Sequence, residues 1–422
     1  MFLIANKLVR KILRSCFSST YRSDWGFCHP PAGWHETVSP ALAKYVYGLF
    51  SPIAKYLGKQ NYIFSINNIS HSTGHVYAEL DYVLRQQQTD ILVQNKIIIF
   101  IWPKSPIANS FKHASTPFNF QIIVSGALHL LIYPMLLRYP QLSLDSGLSD
   151  LNHGIDKNNL SKLNFEQTQV KYKNYFSVIN RTRNSYPLRS FHPSGQPQEL
   201  VDFVASSLYV VLQIKDTVGN ASFKRTDPNT YVYVIQKMQT LGYRVVFAGR
   251  ERMPEIFEML GVLNYANSTL ATPTNDYYLV RDAYAVLSSG SGFSMIADVL
   301  GVPLLIVNVW NCLWAGSNKT LVLPSVLLVS NEELNLIDQF ELTLRIGLSL
   351  PIRRTELHIS CRDATAEEVV CAWQELVLNI ERNEWQDSPL QKKFRYTLQH
   401  AAVSSAPARV ANEFLLRNHH LL

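Results

Sequence analysis

Apolar residues in this chain gather in short continuous runs. Tyr62–Ile66 (YIFSI), Lys96–Trp102 (KIIIFIW), Phe120–Val124 (FQIIV), Leu208–Ile214 (LYVVLQI), Tyr243–Phe247 (YRVVF), Tyr284–Leu287 and Leu304–Val307 are of this kind. Runs this short, bounded by Gly, Pro and Asn, predict strands covered on both faces, the pattern of a parallel sheet. Between them, His75–Gln86, Pro228–Leu241, Met253–Leu260 and Ser294–Leu300 carry helical spacing. The alternation predicts an α/β protein, and the series from Ser207 onward predicts a doubly wound unit.

Several helix ends are marked. Asp227 is placed to cap a helix that opens with Pro228, and Gly242 ends it. Thr365 or Asp363 can cap a helix running to about Arg382, with Glu367 and Glu368 in its first turn. Two more helices are expected near 389–401 and 407–418, the second opening with Pro407.

Phe118–Leu137 is apolar, but Asn119, Gln121, Ser125, His129 and Pro134 interrupt it. It reads as a strand over Phe120–Val124 and a helix over Gly126–Leu137, not as a membrane span. Residues 1–22 carry Lys7, Arg10, Lys11, Arg14 and Arg22 without an acidic residue, interleaved with Phe2, Leu3, Ile4, Leu8, Val9, Ile12, Leu13 and Phe17. That is the form of a basic amphipathic helix on an anionic membrane surface, or of a helix packed on the protein itself. It is a poor secretory signal, because the cations run through the apolar stretch.

The expected divisions are a basic segment over 1–40, an α/β domain over 41–200, a second over 201–360 and a helical tail over 361–422. The polar stretch 141–200 ends in Phe191-His192-Pro193-Ser194-Gly195-Gln196-Pro197, a linker signal. With 47% hydrophobic and 17% charged residues in 422, the chain is neither disordered nor collagenous. Its net charge of +7 permits an anionic partner without selecting one. Five cysteines without a Cys-x-x-Cys pair point to neither a disulfide framework nor a zinc site, so inert thiols in a reducing compartment are expected.

The most informative segment for chemistry is Ser288-Ser289-Gly290-Ser291-Gly292-Phe293-Ser294, between a strand and a helix. Gly and Ser there let backbone N–H groups approach a phosphate, and the hydroxyls of Ser289, Ser291 and Ser294 can add hydrogen bonds. A tight turn without ligand is the plainer reading. Neither a Gly-Lys-Ser/Thr loop nor a first-turn dinucleotide fingerprint is present. Other strand ends carry Lys215, with Arg225 beyond it, and Gly249-Arg250; these cations suit a diphosphate, or a solvated loop. Asp276 lies before the Gly/Ser loop and also reads as a helix cap. In the first domain, His75 and Glu79 share a helical face, with Asp81 beyond them. A His beside a carboxylate suits a general base, or a helix start with a surface pair. His-x-x-x-Glu is not the zinc-peptidase spacing.

These pieces, in this order, resemble a family of bacterial glycosyltransferases. The likeness runs through Gly74-His75…Glu79-Leu80-Asp81, Gly242-Tyr243-Arg244-Val245-Val246…Gly249, Asn264-Tyr265-Ala266, Asp276-Tyr277-Tyr278-Leu279 and Ser289-Gly290-Ser291-Gly292…Gly301-Val302-Pro303…Asn308, with Pro407-Ala408…Phe414-Leu415…Asn418 at the end. The Ser291-Gly292…Ala297…Gly301-Val302-Pro303 run is similar to the donor-phosphate loop of heptosyltransferases. The end of the strand 208–214 is similar to the His-x-Arg element of fucosyltransferase-like enzymes, with Gln213 in place of His and Lys215 in place of Arg. Ile296 stands where many sugar-nucleotide enzymes have Glu. The resemblance implies a GT-B-like architecture of two Rossmann-like domains with a helical tail. It implies a nucleotide-sugar donor in the second domain, a glycan or lipid-linked acceptor in the first, and chemistry without metal or cofactor. The expected catalytic residues are His75, Glu79 and Asp81. Lys215, Arg225, Gly249, Arg250, Asp276, Ser289, Gly290, Ser291, Gly292 and Ser294 are expected to hold the donor. A cytoplasmic enzyme on the inner membrane face follows, with no nucleic-acid partner. An epimerase or hydrolase of nucleotide sugars, or a non-catalytic phosphoglycan binder, are the alternatives.

Overall fold

A computed structural model describes residues 62–66, 73–102, 106–111, 118, 120–124, 165–191, 193, 198–204, 207–215, 225–309, 316–339, 342, 358–399 and 401–421. The basic segment 1–22 and the helix expected over 126–137 lie outside them. Contacts divide the chain into two units: Met1–Gly154 with Phe191–Ser194, and Ile155–Ser190 with Gly195–Leu422.

In the first unit, β1 (Tyr62–Ile66), β2 (Ile97–Trp102) and β3 (Phe120–Val124) form a parallel sheet in that order. The central position of β2 explains its unbroken apolar run, with Ile98, Phe100, Ile101 and Trp102 fully buried. The helix Thr73–Thr89 starts two residues earlier than expected and buries Val76, Tyr77, Leu80, Val83 and Leu84, the spacing of one helical face. An aromatic cluster completes this core. Phe191 stacks on Phe120 at 5.3 Å and meets Phe111 edge-on at 5.5 Å.

The second unit holds a larger sheet. Its strands are β4 (Tyr209–Gln213), β5 (Arg244–Phe247), β6 (Leu263–Asn264), β7 (Ala285–Ser288), β8 (Leu304–Val309) and β9 (Thr320–Pro324). After a small antiparallel sheet of β10 (Val326–Val329), β11 (Glu332–Glu333) and β12 (Ile359–Arg362), the chain returns as β13 (Arg409–Val410). The larger sheet has the order β13-β9-β8-β7-β4-β5-β6, and every pairing in it is parallel. From β4 the chain winds outward through β5 and β6. It then crosses back to β7, on the other side of β4, and winds outward through β8 and β9. The winding reverses between β4 and β7, as in a doubly wound sheet.

The expected caps are present, with adjustments. Asp227 accepts the Asn229 N–H, but Pro228–Tyr231 is a 3₁₀ turn that passes into the α-helix Val232–Thr240. Thr365 and Glu368 form a reciprocal capping box on the helix Ala366–Arg382. That helix buries Val369, Ala372, Trp373 and Leu376 against β8, β9 and the helix Val232–Thr240. One expectation is corrected. Pro407 opens no helix: residues 406–411 are buried, Arg409 and Val410 pair with β9, and the helix begins at Asn412. The polar stretch before the linker contains the helix Phe165–Arg181, which belongs to the second unit. It buries Tyr172, Tyr175, Phe176 and Ile179, and its Asn180 donates to Ser405 O at 2.8 Å. Among the described residues, no helix is long and apolar enough to cross a membrane.

Candidate functional site

The reversal of winding brings the ends of β4 and β7 side by side, with Gln213 opposite Ser288. In open parallel sheets such a point leaves a crevice beyond the carboxyl ends of the strands, because the connections diverge to opposite faces. Gln213 organises it. Its side chain is 1% exposed, and Oε1 accepts hydrogen bonds from Ser288 Oγ and Ser291 Oγ, both at 2.7 Å. Its Nε2 donates to Ile214 O at 2.9 Å, and its carbonyl accepts the Ser289 N–H at 3.0 Å.

The serine hydroxyls of the loop are used by the protein. Ser289 Oγ accepts the Lys215 N–H at 2.8 Å, Ser291 Oγ also accepts the Phe293 N–H at 3.0 Å, and Ser294 Oγ donates to Ser291 O at 2.6 Å. The sequence suggested these hydroxyls as ligand contacts; in this structure they shape the loop. What the loop presents is backbone. Among the described residues, the N–H groups of Gly290, Ser291 and Gly292 have no hydrogen-bond acceptor, and these residues are part-exposed. Successive free N–H groups of this kind are donors that an anion could use. Gly290 is obligatory there. Its φ is +66°, and a Cβ would lie 2.2 Å from Val309 Cγ1.

The cationic side chains border this crevice unequally. Lys215 follows β4, and its Nζ lies 3.7 Å from Glu251 Oε1. The Thr226 N–H donates to Lys215 O at 3.1 Å, which returns the chain, and exposed Arg225 with it, to the end of β4. Gly249 and Arg250 follow β5, Gly249 with φ +110° and Arg250 with its side chain exposed. Asp276 is in the first turn of the helix Pro273–Arg281, but the cap is Thr272, whose hydroxyl accepts the Asn275 N–H. Asp276 Oδ1 instead accepts from Tyr265 OH at 2.8 Å. Burial pushes its carboxyl up to about 6, against smaller opposing effects of the Tyr265 hydrogen bond and the Arg250 charge.

In the first unit, the helix Thr73–Thr89 carries all three residues expected to be catalytic. The side chain of His75 lies outside the described residues. Glu79 is 3% exposed and accepts from Ser65 Oγ at 2.9 Å, tying the helix to β1. Asp81 is buried in an ion pair with Arg85 at 2.7 Å. These two carboxylates sit in the core of the unit.

Sequence reasoning missed Glu251 and Asp298. Asp298 is buried and accepts from Gly316 N, Ser317 N and Thr320 Oγ1 at 2.6, 2.9 and 2.7 Å, which fixes the approach to β9. Its only signal was a charge inside an otherwise apolar helix.

No family model matches the chain, and no curated protein does. Solved structures with a similar arrangement include the ADP-heptose lipopolysaccharide heptosyltransferase II of E. coli, at 17% identity and a TM-score of 0.39 over 70% of this chain and 99% of that one. The glycosyl transferase family 9 structure from Veillonella parvula is similar at 12% identity and a TM-score of 0.45 over 76% of this chain and 98% of that one. A UDP-N-acetylglucosamine 2-epimerase is similar at 11% identity and a TM-score of 0.30 over 59% of this chain and 78% of that one. These likenesses concern the fold.

Proposed function

We propose that this chain is a glycosyltransferase that moves a sugar from a nucleotide-activated donor to a glycan or lipid-linked acceptor without a metal ion. The observation that carries the donor half is the row of unpartnered N–H groups at Gly290–Gly292, at the reversal of the sheet and beside Lys215. Sugar transfer follows from the order of motifs that resembles bacterial glycosyltransferases. In such a transfer the bond from the anomeric carbon to the donor phosphate breaks, and negative charge builds on the phosphate. Fixed N–H groups and a nearby ammonium stabilise that charge without having to reorganise. Lys215, Arg225, Gly249, Arg250 and Asp276 line the donor side, with Ser289, Ser291 and Ser294 holding the loop in shape. On the acceptor side, His75 takes the proton from the attacking hydroxyl, while Glu79 and Asp81 hold its helix in place. The basic segment 1–22 keeps the enzyme at the inner membrane face.

The test is thermal stability of the full chain with UDP, GDP, ADP, CMP and TDP, with and without magnesium. A ligand at 100 times its dissociation constant adds ~2.7 kcal/mol if it binds only the folded state. A selective, magnesium-independent shift is expected; no shift with any nucleotide overturns the donor site. With the nucleotide known, product formed without acceptor identifies an epimerase or hydrolase. Binding without turnover across acceptor panels identifies a non-catalytic binder.

A further inference from the structure

Glu251 sits in the same crevice as the cation the donor site uses. Its Oε1 is 3.7 Å from Lys215 Nζ, and its Oε2 accepts the Arg250 N–H at 3.2 Å. Both side chains are largely enclosed, Lys215 26% and Glu251 13% exposed. Gly249 permits this arrangement. A Cβ on it would stand 3.0 Å from Gln213 Cγ and 3.2 Å from Glu251 Oε2, so the missing side chain lets the carboxylate fold back against the end of β4. An ammonium and a backbone N–H converging on one carboxylate make an anion seat, and a phosphate uses the same donors. At 3.7 Å the Lys215 contact is longer than a hydrogen bond. It is a Coulombic contact that another anion can replace.

The geometry points to Glu251 as an internal counter-ion that occupies part of the phosphate seat until a nucleoside diphosphate displaces it. This rests on the donor site proposed above and adds a regulation of that site. Like charges at short range repel, and partial enclosure limits how far solvent screens them. The diphosphate therefore enters only as the carboxylate swings away from Lys215 and the Arg250 N–H. Glu251 lowers donor affinity and leaves Lys215 neutralised in the empty enzyme.

The test is calorimetric titration of inorganic pyrophosphate and the same nucleotides into the full chain. Four proteins are compared: wild type, Glu251→Gln, Lys215→Gln and the double variant. Gln keeps an acceptor for the Arg250 N–H, and thermal unfolding checks that each variant is folded. Glu251→Gln is expected to bind about tenfold tighter, the size of a partly screened charge repulsion. Lys215→Gln is expected to bind weakly, and the gain from Glu251→Gln is expected to shrink in that background, because no cation is left to release. If wild type binds and Glu251→Gln binds equally or more weakly, the counter-ion role is overturned and the donor site stands. If neither binds pyrophosphate or any nucleotide, the donor site falls, and this role with it.

Discussion

The backbone N–H of Lys215 donates to the hydroxyl of Ser289 at 2.8 Å, joining the ends of two strands from opposite halves of the sheet. Gln213 makes the same junction with its side chain, through Ser288 and Ser291. The end of β4 and the Gly/Ser loop are thus one assembly, held by the protein's own hydrogen bonds. Such preorganisation is what an electrostatic site requires.

Gln213→Ala removes an acceptor shared by two hydroxyls, one fully buried. The expected loss is about 2–4 kcal/mol in a urea titration, with the slope unchanged. A loss under about 0.5 kcal/mol, within the range of an ordinary surface substitution, contradicts the junction.

Two glycines with positive φ separate strain from crowding. At Gly242, φ is +84° and a Cβ meets nothing within 4 Å; at Gly290 it meets Val309 at 2.2 Å. Gly242→Ala should cost about 1–2 kcal/mol from the left-handed backbone alone. Gly290→Ala should cost about 1–3 kcal/mol more, and Val309→Ala should relieve part of that excess. Equal costs at the two positions would show that the loop does not rest on β8.

The carboxyl of Asp276 is raised to about 6 from an ordinary 3.8. The folded state then holds this proton more tightly than the unfolded chain does. Its contribution is neutral below about pH 4, turns unfavourable as pH rises to 6, and is constant above, about 2–3 kcal/mol in all. Asp276→Asn should match wild type near pH 4 and exceed it near pH 7. Denaturant midpoints across that range give the difference directly, and a difference that does not change with pH removes the argument.

Thr365→Ala breaks one arm of the capping box on the helix Ala366–Arg382. The expected cost is about 1 kcal/mol, read as a lower unfolding midpoint, with Thr365→Ser close to wild type.

The central strands were legible because a parallel strand covered on both faces leaves a continuous apolar run. β2, β4, β7 and β8 all do so. β11 is the exposed pair Glu332–Glu333, and β13 is two residues after a proline; neither leaves a periodic signal. Their pairing depends on partners far along the chain. The Gly/Ser loop was legible from composition, but the use of its hydroxyls was not. Ser288 and Gln213 are 75 positions apart, and only the sheet register makes them neighbours. Asp276 read as a cap because it opens a helix, yet Thr272-Pro273 already supplied one, which left the carboxylate to Tyr265. Glu79 and Asp81 shared the helix of His75, but burial on that helix depends on β1 and Arg85 as partners.

β13 also sets an order on how the protein comes to be. β9 (Thr320–Pro324) lies well before β13 in the chain, and its outer edge is covered by residues 409 and 410. On the ribosome, the strands from β4 to β9 are all made while that edge still lacks its neighbour. An uncovered parallel edge is a template for other chains. The nascent protein is therefore most exposed to mispairing late in synthesis, after β4 and β7 are both made and before the last ladder closes.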